Sequence, residues 1–301
     1  MGSAGTGNGA AGPGGGQSGR AGGGESARYW QHPELPGVDL LRARYISKTF
    51  VPHTHDTFVL AAITEGVEEF RHRGDIERVG PGGVALLNPD VPHTGHAGVP
   101  EGWAYQVLYP EPELIHGIAA ETTALRGSAA FRDVIVEGDR RSHRLLTEVH
   151  QAAERGNALA ADSLLRIAVA RLLRRYGAPA APRTVSSAGT RNALRARELL
   201  EERMADPPSL DRLAAELGTS PFALLRAFRD AHGMPPHTWL TNARVRRARM
   251  LLDAGSTPAE VAVAVGFTDQ PHLNRHFTRI VGVPPGAYRR GRAPARIDTA
   301  G

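Results

Sequence analysis

An α+β chain of two domains is the fold class this sequence predicts, a small β-barrel or double-sheet jelly roll with helices appended, then a separate all-α domain. Three observations predict it. Residues 28 to 110 alternate short apolar runs with Gly and Pro turns, residues beyond Pro112 change to helical spacing, and the last third repeats itself. Leu213-Ala214 and Leu217-Gly218 recur as Val261-Ala262 and Val265-Gly266 at an offset of 48; Arg226, Phe228, Gly233 and Pro235-Pro236 recur as Arg275, Phe277, Gly282 and Pro284-Pro285 at 49. One residue is therefore inserted at the turn.

Met1 to Ala27 is Gly, Ala and Ser without the apolar stretch of a signal peptide, so residues 1–27 are expected to be a disordered leader. From 28 onward, Phe58 to Ile63 and Val84 to Leu87 read as strands, punctuated by Glu65-Gly66, Arg73-Gly74-Asp75 and Gly80 to Gly83. Segments near 113–125, 142–155 and 160–176 have apolar residues at helical spacing, as in Leu164, Leu165, Ala168 and Leu172. They should pack on the barrel or on a second subunit, giving a first domain over 28–176. Residues 177–189, rich in Pro, Ala and Ser, cannot form a core and read as a linker. Helices near 191–204, 209–217, 221–231, 236–253, 258–265 and 270–280 make the second domain, 190–291, with residues 292–301 as a frayed tail.

Composition narrows the function classes. With 41% apolar residues and no long apolar run, the chain fills two cores and has no spanning segment. It has no cysteine, which removes thiolate chemistry and disulfides and fits a cytoplasmic location. The net charge of +5 is concentrated late: residues 188–301 hold 17 Arg against 11 Asp plus Glu. A basic, repeated end suits nucleic acid.

Each repeat reads as helix, tight turn at Gly218 or Gly266, and second helix, the plan of a helix-turn-helix. Ser220-Pro221 opens the first of these second helices, and Thr268 or Asp269 caps the other. Leu224 with Phe228, and Leu273 with Phe277, stand four apart and should face the core. Phe222, Leu225, Arg226 and Arg229 then lie outward on one helix, and Gln270, His272, Arg275, His276 and Arg279 on the other. Arginine there matches the O6 and N7 acceptors of guanine, a pairing that discriminates by about 1–3 kcal/mol. Between the repeats, Pro236 to Asp253 contains no breaker and predicts one long helix bearing Arg244, Arg246, Arg247 and Arg249, some of which should touch phosphate. At ~1.5 Å per residue it would set the two units about one DNA turn apart.

These motifs resemble the AraC family of bacterial transcription regulators, through Arg244 to Leu252, Glu260 to Gln270, Arg275-x-Phe277 and Gly282 to Arg289. The resemblance implies two helix-turn-helix units on a linker helix, binding double-stranded promoter DNA, with Arg226 and Arg275, then Phe222 and His272, as base readers. Leu225 and Pro271 depart from the polar residues usual at their positions. The front half is similar to the cupin-like effector-binding domain of the same regulators, through His53-Thr54-His55, Gly66, Pro81-Gly82, Asn88-Pro89, Pro92-His93 and Trp103-x-Tyr105. That implies a small-molecule effector held near His53, His55, His93, Trp103 and Tyr105, a homodimer formed by the following helices, and RNA polymerase as partner if the protein is an activator. The alternative is a cupin metalloenzyme fused to a DNA-binding module. Its metal set needs a Glu where this chain has Val59, so no enzyme activity, cofactor or metal is expected.

Overall fold

The computed structural model describes residues 24–125, 128–180 and 188–292. Strands β1 (Ser26–Gln31), β2 (Val38–Tyr45), β3 (Thr49–His53), β4 (Val59–Gly66), β5 (Glu68–His72), β6 (Asp75–Val79), β7 (Val84–Leu87), β8 (His93–Ala97) and β9 (Trp103–Pro110) come first. Helix α1 (Pro112–Thr122), strands β10 (Ala129–Phe131) and β11 (Ile135–Val136), helices α2 (Arg140–Glu154) and α3 (Ala158–Tyr176), and strand β12 (Gly177–Pro179) follow. The strands form two main antiparallel sheets. One has the order β1-β2-β9-β4-β7-β11 and the other β3-β8-β5-β6, while β10 and β12 form a separate pair.

The larger sheet is buried on both faces, which is why β4 reads as an unbroken apolar run rather than an alternating one. Leu40, Leu60, Leu86 and Leu108 face a core shared with α1, α2 and α3, whereas Leu41, Ala61, Ala85 and Val107 face the opposite way, toward the smaller sheet. Helix α2 is fastened to the sheet by its histidines, His143 Nε2 donating to the Ile63 carbonyl at 2.8 Å and His150 Nε2 to that of Val107 at 3.0 Å. Asp139 caps α2 through the Ser142 amide and also accepts from Arg171 at 2.7 Å and the Tyr176 hydroxyl at 3.1 Å, tying α2 to α3.

The second domain contains α4 (Ala188–Glu202), α5 (Leu210–Glu216), α6 (Pro221–His232), α7 (Pro236–Asp253), α8 (Pro258–Ala264), α9 (Gln270–Val281) and α10 (Pro285–Arg292). Four starts have a side-chain cap: Ser209, Ser220 and Asp269 accept from backbone amides at the openings of α5, α6 and α9, and Thr257 with Glu260 forms a reciprocal box at α8. Leu224, Phe228, Leu273 and Phe277 are all fully buried. Among the described residues, no helix is long and apolar enough to cross a membrane.

Several sequence expectations are corrected. Ser26 and Ala27, assigned to the leader, pair with Arg44 and Ala43, and Glu25 accepts from the amides of Ile46, Ser47 and Lys48. Residues 1–23 of that leader lie outside the described residues. The linker expected over 177–189 begins as β12, paired with β10, and ends inside α4, with 181–187 outside the described residues. Arg292, placed in the frayed tail, ion-pairs with Asp39 and Asp253, while 293–301 lie outside the described residues. Helix α10 is missed by the sequence reading because Pro285-Gly286 looks like a breaker; Tyr288, fully buried on it, anchors the helix by tertiary contact.

Both turn glycines adopt left-handed backbone, φ 61° at Gly218 and 82° at Gly266, but their surroundings differ. A Cβ at Gly218 meets nothing within 4 Å, whereas at Gly266 it would stand 2.7 Å from the Ala205 backbone. Gly218→Ala should cost only the backbone strain, about 1–2 kcal/mol. Gly266→Ala should cost about 1–3 kcal/mol more through overpacking, as chemical denaturation of the two variants will show.

Candidate effector cavity and nucleic-acid interface

Between the sheets lies a cavity of about 40 Å³. His53, His55, His93 and Tyr105 line it, together with Glu68, Tyr109 and the α9 residues Ile280 and Val281. Trp103, expected at the effector site, does not line it; it is fully buried against Tyr45 and Phe50, in the aromatic core beside the cavity.

The histidines meet for reasons of strand geometry. His53 and His93 face each other across the β3–β8 ladder, and His55 lies two residues beyond His53, just past the strand end. Their ring centroids are 4.3 Å apart for His53–His93, 4.9 Å for His53–His55 and 5.2 Å for His55–His93. Nδ1 of His53 lies 2.8 Å from the Val51 carbonyl, and Nδ1 of His93 lies 3.0 Å from that of Val91. A carbonyl only accepts, so each Nδ1 carries the proton and each Nε2 keeps its lone pair. Burial holds all three rings neutral, bringing His53 down to about 4 and His55 and His93 well below the usual histidine value. Burial also pushes the Glu68 carboxyl up to about 8.

Helices α6 and α9 present the outward side chains. Phe222, Arg226 and Arg229 are exposed on α6, with Leu225 half-buried; Gln270, Arg275 and Arg279 are exposed on α9, with His272 half-buried beside Thr268. Among the described residues, no ion pair engages Arg226, Arg229, Arg275 or Arg279, so these guanidinium groups are open to an external anion or base edge.

The linker helix behaves differently from the expectation that its arginines meet phosphate. Arg244 donates to the Met204 carbonyl, Arg246 to Thr54 Oγ1 at 2.9 Å, and Arg249 to Asp39 at 3.0 Å and the Tyr29 hydroxyl at 3.2 Å. Only Arg247 of the four is exposed. Through Arg246 and Arg249 α7 is bound to the front domain, where Asp39 also accepts from the Tyr29 hydroxyl at 2.7 Å and pairs with Arg292. The last turn of α9 is held there too: Lys48 Nζ donates to the Thr278 carbonyl at 2.5 Å and the Tyr45 hydroxyl to that of Gly282 at 3.4 Å.

Glu68, Tyr109, Ile280 and Val281 escape the sequence reading. Tyr109 has a signal, since it stands four residues from Tyr105 on the same strand face. Ile280 and Val281 have none, because a contact between domains leaves no local pattern.

Residues 35–169 match the family described as an AraC-like ligand binding domain, and residues 213–291 match a helix-turn-helix domain. The chain belongs to the AraC family of transcriptional regulators. As an AraC-type regulator it joins a ligand-binding domain to a DNA-binding domain. Among its relatives, the HTH-type transcriptional regulator YbfI of Bacillus subtilis strain 168 is 25% identical over 242 residues, 78% of this chain and 86% of YbfI. The transcriptional activator NphR of a Rhodococcus species is 27% identical over 250 residues, 78% of this chain and 70% of NphR. The fold is also that of ToxT from Vibrio cholerae O395, with a TM-score of 0.52 at 12% identity, covering 89% of this chain and 97% of ToxT.

Proposed function

We propose that α6 and α9 enter successive major grooves of promoter DNA, with Arg226 and Arg275 as the principal base readers and Phe222, Leu225, Arg229, Gln270, His272 and Arg279 around them. A small effector against His53, His55, His93 and Tyr105 then sets how firmly α9 is held on the front domain. The ligand-binding unit runs from β1 to β12 and the DNA-binding unit from α4 to α10. The protein acts in the cytoplasm as a regulator rather than an enzyme, and contacts RNA polymerase if it activates. Exposed Leu159 and Ile167 on α3 support a homodimer through that helix.

The observation that carries this reading is that Ile280 and Val281, on the last turn of a DNA-facing helix, are also walls of the effector cavity. A ligand favouring one position of α9 changes the DNA affinity by its own difference in affinity between the two positions. ToxT has been crystallised with an unsaturated fatty acid. In this chain about 40 Å³ is too little for such a molecule, against the ~300 Å³ of a small organic-ligand pocket, so an organic effector enters as Ile280 and Val281 withdraw.

Selection of bound sequences from random duplex DNA tests the base readers. The wild-type chain should enrich a bipartite site with elements about one turn apart. Arg275→Ala should lose preference in one element and Arg226→Ala in the other, each by about 1–3 kcal/mol at its base. Unchanged preference in both variants contradicts the reading.

A further inference from the structure

We propose that His53, His55 and His93 hold a first-row divalent transition-metal ion, with Glu68 as the carboxylate that balances its charge. At the position where a cupin metal set carries its carboxylate this chain has Val59. The fold supplies one from β5 instead, and Glu68 is the only acidic residue among those lining the cavity.

Four observations converge. The three ring nitrogens available as ligands lie within 4.8 Å of one another. Two nitrogens each ~2.1 Å from one ion stand at most ~4.2 Å apart, so a small inward rotation of the rings closes the set. Backbone carbonyls fix the tautomers of His53 and His93, leaving Nε2 as the ligand atom, as metal-bound imidazoles require. The third observation is space: about 40 Å³ suits an ion with one or two waters, each of which needs roughly 10–15 Å³.

The donor set is the fourth. Imidazole suits Zn²⁺, Ni²⁺, Co²⁺ and Fe²⁺, while Mg²⁺ and Ca²⁺ demand mostly oxygen. A dication among three neutral rings is favoured by a nearby negative charge, which the Glu68 carboxylate, lining the same cavity, can supply. The site stands on this geometry alone; its use as a signal rests on the effector reading above, because the same cavity is lined by Ile280 and Val281 of α9.

The test titrates Co²⁺ into untagged, chelator-stripped full-length protein and reads the visible absorption of the bound ion. We expect one saturable equivalent per chain, displaced by Zn²⁺ and weakened about 100-fold or more in His55→Ala. His55 is the least buried of the three, and far-UV circular dichroism verifies that the variant is folded; His55→Gln replaces it if it is not. His237→Ala, at an exposed histidine in the first turn of α7, should leave the equivalent unchanged. Absence of a saturable equivalent, or one that survives substitution of both His55 and His93 in folded protein, overturns the proposal. That failure would leave the DNA reading standing, since sequence selection with Arg226→Ala and Arg275→Ala decides it separately.

Discussion

Asp39→Ala is expected to cost about 3 kcal/mol of the stability of the joined domains, the low end for breaking a buried ion pair, because it removes the carboxylate that Arg249 and Arg292 share and leaves each with one more exposed partner, Asp56 and Asp253. Asp39 sits on β2, only 6% exposed, and accepts from Arg249 of α7, Arg292 of α10 and Tyr29 of β1. These contacts tie one carboxylate of the front domain to two helices of the DNA-binding domain. Arg249 is spent entirely inside the protein, pairing also with Asp56 at 3.3 Å. Chemical denaturation of Asp39→Ala, Arg249→Met and the double variant measures the coupling: the double variant should cost clearly less than the sum of the singles. Additive costs would mean that the contact does not hold the domains together.

Phe277→Ala and Phe228→Ala should each lose about 3–5 kcal/mol locally, yet with different reach. The two phenylalanines occupy matching places in the repeat and are equally buried. Phe277, however, belongs to a core that runs without a break from α7, α8 and α9 into the front-domain aromatics Tyr29, Tyr45 and Phe50. Its ring lies 5.4 Å from that of Tyr288, which is 5.2 Å from Tyr29. Phe228 belongs to a smaller core confined to α4, α5, α6 and the first half of α7. Hydrogen exchange should therefore show Phe277→Ala loosening β1 and β2 along with α9, while Phe228→Ala loosens the first unit alone. Equal spread from both would contradict the division between the two cores.

The unequal reach of these residues explains what the sequence discloses. The repeat is legible because every link in it is local: Gly at the left-handed turn, Ser or Asp at the cap, apolar residues four apart. His53, His55 and His93 are legible as candidates for the same reason, two being separated by one residue and the third following a Pro. The four arginines of α7 are not. Helical periodicity puts them on a surface, but only the docked front domain makes that surface an interior one for Arg246 and Arg249. Glu68 is hidden differently, since a search at fixed sequence spacing looks along one strand while the ladder brings in another. Trp103 shows the converse, an aromatic beside the cavity whose side chain turns into the core. The edges at Ser26, Gly177 and Arg292 are not legible because small or charged residues there gain order from pairing partners far along the chain.

The most direct test of the central claim, that the cavity and the DNA-facing helix form one coupled unit, is hydrogen exchange with and without a selected operator duplex. Linkage is reciprocal: if an occupant of the cavity biases α9, then DNA bound to α9 must alter the cavity walls. Changed protection is predicted in β3 and β8, residues 49–53 and 93–97, which lie on the front domain rather than on α6 or α9. Protection changes confined to residues 188–292 would contradict it.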